Sequence, residues 1–106
     1  FPDYLKLAQW PSNEINEAAQ EKGMSQEDLL KVLSYFDMKN LADRIKCPLI
    51  MGVGLQDDVC PVHTNFAGFN MVPSEKSWIC YPKAKHNVWE QPEWPEAKEE
   101  FFRLYR

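Results

Sequence analysis

The sequence predicts an α/β fold, in which a helical segment precedes a strand-helix-strand-helix unit of parallel sheet. Three observations predict it. Apolar residues before Cys47 recur at helical spacing, broken by Pro11 and Gly23. Two short runs, Leu49-Ile50-Met51-Gly52-Val53-Gly54-Leu55 and Ser77-Trp78-Ile79-Cys80-Tyr81, lack polar alternation and are rich in branched or aromatic residues. Each run is followed by a helical stretch introduced by proline, Pro61 and Pro95. This order is the signature of an open parallel sheet.

The elements follow in turn. Tyr4, Leu5, Leu7, Ala8 and Trp10 form one apolar face of a short helix over residues 3–10, ended by Pro11. A polar helix runs from about Asn13 to Lys22, and Gly23 is its C-terminal stop. Ser25-Gln26-Glu27-Asp28 is a variant capping box opening a third helix, with Leu29, Leu30, Val32, Leu33 and Phe36 on its buried face. Residues 40–45 add one more turn. Pro61 opens a helix through Asn65, Phe66, Phe69 and Met71. In the last helix Glu96, Glu99 and Glu100 lie early and Arg103 and Arg106 late, matching the helix dipole. The chain therefore divides into a helical, cap-like or inserted segment (1–46) and a βαβα unit (47–106). Two strands do not make a stable sheet alone, so either the helices cover them unusually well or further strands lie in an N-terminal part outside these residues, and the second is expected.

Composition narrows the function. The 106 residues suffice for one domain, and 44% are hydrophobic, enough for a core. Twelve basic and sixteen acidic residues give a net charge of -4 with no basic stripe, which argues against nucleic acid or an anionic membrane as the partner. No apolar run approaches the roughly 18 to 20 residues of a membrane span. The opening Phe1-Pro2-Asp3-Tyr4 has no start Met, basic n-region or h-region, and is expected to lie inside a longer protein. Cys47, Cys60 and Cys80 form no Cys-x-x-Cys pair, and Cys47 and Cys80 read as small buried hydrophobes. Cys60 and His63 make a metal half-site with no second pair. The compartment is not legible.

In open parallel sheets functional groups collect beyond the C-terminal ends of the strands. Asp57 follows the first strand and His86 the second. A carboxylate facing an imidazole there is half of a nucleophile-activating relay: the acid fixes the ring's tautomer and stabilises the imidazolium formed on proton transfer. Spacing alone leaves the bland alternatives open. Asp57 or Asp58 could be a turn former or helix cap, and a loop histidine is commonly structural. Gly52-Val53-Gly54 lacks the third glycine of a dinucleotide loop and is read as small residues admitting close helix-to-sheet packing. Asn87-Val88-Trp89-Glu90 with Trp94 either lines an acyl or sugar pocket or anchors the last helix, and the anchor is favoured. None of Ser12, Ser25, Ser34, Ser74 and Ser77 lies in Gly-x-Ser-x-Gly, and there is no His-Gly-Gly oxyanion segment. Ser34 is placed inside a helix. Cys60 as a substitute nucleophile is disfavoured, because it opens a helix and not an elbow.

The stretch Tyr35-Phe36-Asp37, Asn40-Leu41-Ala42, Arg44-Ile45-Lys46-Cys47-Pro48 leads into Val53-Gly54-Leu55-Gln56-Asp57-Asp58-Val59-Cys60-Pro61. Thr64-Asn65-Phe66-Ala67-Gly68-Phe69-Asn70, Ile79-Cys80-Tyr81-Pro82 and His86 follow. Across roughly residues 26–87 this resembles the C-terminal third of the acetyl xylan esterase and cephalosporin-C deacetylase family, of α/β-hydrolase fold. The resemblance implies that Asp57 is the triad acid and His86 the base, in the hydrolase chain order of nucleophile, acid, histidine. It implies an acetylated carbohydrate or similar small acetyl ester as substrate, the remaining N-terminal part of the hydrolase as partner, and frequent homo-oligomers. It implies no metal and no cofactor, and composition already argues against nucleic acid and membrane. The chain departs from the family at Val62, where a second Pro is usual, and at His63, where a small residue is. Lys85 stands in place of the Gly before the histidine and either shifts that loop or marks an altered subgroup. The rival readings are a dienelactone-hydrolase-like or peptidase-like enzyme, and a non-catalytic domain keeping the fold for binding or assembly. By itself the chain is expected to be inactive, because it brings no attacking atom and no oxyanion hole.

Overall fold

The computed structural model of the chain describes residues 1–7 and 9–105. The placements of Ala8 and Arg106 in apolar face and helix end fall outside the described residues. Helices α1 (Ser12–Glu21) and α2 (Gln26–Leu33) come first, followed by two 3-10 turns at Met38–Asn40 and Ala42–Arg44. Strand β1 (Leu49–Gly54), helix α3 (Val62–Phe69), strand β2 (Lys76–Tyr81) and helix α4 (Glu93–Leu104) complete the order. The strand-helix-strand-helix order behind a helical segment is the one expected.

Local chemistry explains the boundaries. Gly23 takes φ +66°, a left-handed conformation that glycine adopts without a Cβ penalty, and it ends α1. The Ser25 hydroxyl accepts the Asp28 N–H at 3.1 Å and caps α2. α4 begins at Glu93, two residues ahead of expectation. Pro95 still falls in its first turn, where a missing N–H costs no helical hydrogen bond.

Several expectations fail where helical phase breaks off early. The predicted helix over residues 3–10 is a single 3-10 turn, Tyr4–Lys6, so Leu5 is buried while Trp10 points outward. α2 stops at Leu33 and Ser34 is its C-cap residue, so Phe36 is out of phase with the apolar face and 70% exposed. Cys47 is exposed, because it lies ahead of β1 and outside the sheet, and Cys80 is half-buried. No described helix is long and apolar enough to cross a membrane.

β1 and β2 pair in parallel, with Met51 beside Trp78, Gly52 beside Ile79 and Gly54 beside Tyr81. Successive strand residues point to opposite faces. Trp78 packs edge-on against Phe66 and Phe69 of α3, at centroid distances of 5.8 and 5.9 Å. One residue along, Gly52 faces the Trp94 indole of α4 and Val88. The two helices thus cover opposite faces, as a parallel sheet requires. The cover is incomplete. Only Val53 and Gly54 of β1 are fully buried, and Trp78 is exposed by more than half. The helical segment carries its own small core of Leu5, Ala19 and Leu29, flanked by Ile15, Met24 and Leu33.

Lys76 joins α3 to β2. Its ammonium donates to the carbonyls of Phe69, Asn70 and Val72 at 3.0, 3.3 and 2.8 Å, and lies 5.0 Å from the Phe69 ring centroid. The last carbonyls of a helix lack intrahelical donors, so a cation is favourable there.

Candidate active site

The register sets Gly54 and Tyr81 at the same level, so the loops leaving the two strands emerge side by side. Leu55 N–H continues the ladder to the Tyr81 carbonyl at 3.1 Å, and Gln56 N–H reaches the Ala84 carbonyl at 3.0 Å. Asp57 N–H closes a turn onto the Gly54 carbonyl at 3.2 Å. Asp57 and His86, 29 positions apart, meet here: Asp57 Oδ2 lies 3.0 Å from His86 Nδ1.

The Asp57 carboxylate is held from its own loop as well. Its Oδ1 accepts the N–H groups of Val59 and Cys60 at 2.9 and 2.8 Å, an Asx-type turn that fixes the side chain before any partner approaches. This answers the alternatives left open above, for Asp57 is both a turn former and the residue facing the histidine. α3 has Pro61 at its N-cap position and no side-chain cap, so Asp58 does not fill that role. The Asp57 side chain is 6% exposed and that of His86 43%. A carboxylate oxygen accepts, so Nδ1 carries a proton and the neutral ring presents the Nε2 lone pair. Such an arrangement can accept a proton from a group placed beyond Nε2.

The loop carrying His86 accepts Lys85 without strain, since no described non-glycine residue has positive φ. A different glycine makes room. A Cβ on Gly54 would overlap the Lys85 carbonyl oxygen and lie 2.5 Å from that of Ala84, so the histidine loop rests directly on the Gly54 backbone. Helix-to-sheet packing therefore explains Gly52 but not Gly54. The tryptophans also divide. Trp94 anchors α4 against Gly52, whereas Trp89 stands edge-on to the His86 ring at 6.1 Å and 81° and is 61% exposed. Gln56 gave no signal in the sequence, being a polar residue with no motif of its own. In space its side-chain amide donates to the Pro82 carbonyl at 3.2 Å.

The other candidates stay apart. Burial, and then the neighbouring Asp57 charge, raise the Cys60 thiol above its ordinary value, which disfavours a thiolate nucleophile. His63 Nε2 lies 3.9 Å from Asp3 Oδ2, and no three His, Cys, Asp or Glu among the described residues come together as a metal site. Ser74 and Ser77 sit at the start of β2, away from the His86 end, and Ser74 donates to the Cys47 carbonyl at 2.7 Å.

Comparison with known proteins places the chain in a family. The family model described as acetyl xylan esterase (AXE1) matches residues 4–103. The acetyl esterase Axe7A of Xylanibacter ruminicola is 31% identical over 65 residues, covering 61% of this chain and 15% of that protein. Among solved structures, acetyl xylan esterase 1 from Thermoanaerobacterium sp. JW/SL YS485 superposes with a TM-score of 0.81 at 34% identity. That match covers 96% of this chain and 33% of the other. The acetyl xylan esterase from Paenibacillus sp. R4 superposes with a TM-score of 0.88 at 30% identity, covering 99% and 34%. The chain thus spans about a third of the length of these structures and less of the curated relative. With its parallel strands, its loop order and nearly its whole length accounted for in this way, the chain belongs to the acetyl xylan esterase (AXE1) family of α/β-hydrolases.

Proposed function

We propose that these residues form the C-terminal part of a carbohydrate-type O-acetyl esterase, with Asp57 as the triad acid and His86 as the base. The observation that carries this reading is the 3.0 Å contact between Asp57 Oδ2 and His86 Nδ1 at the ends of adjacent parallel strands. Family membership supports an acetylated carbohydrate or a similar small acetyl ester as substrate. The nucleophile is a serine from residues outside this chain, which has no Gly-x-Ser-x-Gly segment.

In this mechanism the serine hydroxyl attacks the acetyl carbonyl while His86 Nε2 takes its proton. The imidazolium then passes that proton to the departing sugar oxygen, leaving an acetyl-enzyme. Water, deprotonated by the same nitrogen, releases acetate and restores the serine. Throughout, Asp57 holds the ring with Nε2 outward and stabilises its charged form.

The test uses the whole protein that carries these residues. His86→Ala is expected to lower turnover of p-nitrophenyl acetate and of acetylated xylo-oligosaccharide by at least about 10³-fold, with an unchanged circular dichroism spectrum. Near-normal turnover would rule out His86 as the base. The 106-residue chain alone is expected to show no saturable turnover.

A further inference from the structure

We infer that Gln56 is a positioning residue, tying the loop of His86 to the loop of Asp57 at two points and so holding the Asp57–His86 contact at bonding distance. The inference rests on the proposed roles of Asp57 and His86 and concerns how their separation is maintained.

The two partners are not equally constrained. Asp57 is pinned by two N–H groups of its own loop, at 2.9 and 2.8 Å. Among the described residues His86 has no comparable side-chain hold. Its ring bonds to Asp57 and meets the exposed Trp89 edge-on, and the ring remains 43% exposed. Its position therefore depends on where the main chain of residues 82–86 runs. Strand pairing ends at Tyr81, and Pro82 offers no N–H with which to extend it. Beyond that level, among the described residues, the cross-loop bonds other than the Asp57–His86 contact itself come from Gln56. Its main-chain N–H donates to the Ala84 carbonyl at 3.0 Å, and its side-chain Nε2 donates to the Pro82 carbonyl at 3.2 Å. Gly54, lying under the Lys85 and Ala84 carbonyls, supplies the clearance that lets the loop come down to these donors.

The geometry has a direct consequence. Gln56 is adjacent to Asp57 in the chain, so both anchor points move with the acid. A displacement of the acid loop carries the histidine loop along, and the acid–base distance is conserved. Loss of the side-chain tie frees Pro82 while leaving the Ala84 bond. The histidine then samples positions farther from Asp57, which slows the step that needs a fixed imidazole without altering how an ester binds.

The experiment is steady-state kinetics of the whole protein on p-nitrophenyl acetate. Gln56→Met keeps side-chain length but removes the donor, and Gln56→Lys keeps a donor. Gln56→Met is expected to lose about fivefold in kcat at unchanged KM, the effect of one neutral hydrogen bond, and Gln56→Lys to recover most of that loss. A Gln56→Met enzyme with wild-type kcat, or a Gln56→Lys enzyme as slow as Gln56→Met, overturns the inference. His86→Ala run in parallel separates the two claims. An inactive His86→Ala beside a fully active Gln56→Met sinks the positioning role alone, while an active His86→Ala sinks the catalytic reading beneath it.

Discussion

Asp57 meets His86 with one carboxylate oxygen while the other is taken by its own loop. Oδ2 lies 3.0 Å from the imidazole Nδ1, and Oδ1 accepts the N–H groups of Val59 and Cys60. This division predicts that two substitutions separate function from stability. Asp57→Asn keeps an acceptor oxygen for the turn but gives the histidine a poor partner. It is expected to cost on the order of 10⁴-fold in kcat, by analogy with carboxylate-to-amide changes in triads, and less than about 1 kcal/mol in stability. Asp57→Ala also abandons two part-buried N–H donors and is expected to cost about 1 to 2 kcal/mol more. Acetyl ester turnover and urea denaturation of both variants decide the matter, and equal stability of the two would refute the dual role.

Gly54 and Gly52 are expected to tolerate alanine differently. At Gly54 the new methyl meets main-chain carbonyls of the histidine loop, which yield only if the loop lifts. At Gly52 it meets the side chains of Trp94 and Val88 at 2.9 Å, which can reorient. Gly54→Ala should therefore abolish most activity and cost about 2 to 3 kcal/mol, and Gly52→Ala should retain activity at about 1 to 2 kcal/mol. Activity and thermal denaturation measured side by side check the order, and a fully active Gly54→Ala would contradict it.

Lys76 carries a structural prediction remote from the site. Its ammonium serves three carbonyls at the end of α3 and lies over the Phe69 ring. Lys76→Met retains the aliphatic stem and removes the donors, so it should lower the denaturation midpoint by an amount equivalent to about 1 to 2 kcal/mol. kcat and KM should stay at wild-type values. A variant as stable as wild type would mean that water replaces the ammonium without loss.

Cys60 links pH to the acid loop. Burial first, and then the Asp57 charge, raise its thiol, so thiolate forms only at a higher pH than for an ordinary cysteine. Alkylation requires the thiolate, and the rate against pH should rise late. Asp57→Asn removes the repelling charge and lowers the thiol, moving the rise to lower pH. Peptide-resolved iodoacetamide labelling across pH 7 to 10 measures this, and an unmoved profile would show that the carboxylate does not act on the thiol.

Much of the molecule was legible in residue order because the responsible physics is local. Gly23 stops a helix by its own φ, Ser25 caps one through a hydroxyl three residues from its donor, and an unalternating apolar run marks a parallel strand wherever it lies. Chain order also placed Asp57 and His86 at strand ends, and the family motif assigned them roles. Local periodicity misled where it outran the element, as at Trp10 and Phe36, because an apolar residue beyond the last turn is no longer in phase with the buried face.

Residue order thus carries the fold class, the succession of elements and the identity of the acid and histidine worth testing. Tertiary structure decided whether and how they meet. The parallel register that levels Gly54 with Tyr81, the carbonyls resting on Gly54, the Gln56 ties and the packing of Trp94 against Gly52 all join residues on separate segments. Such contacts depend on how two loops approach in space, and no period or propensity along one segment encodes that distance.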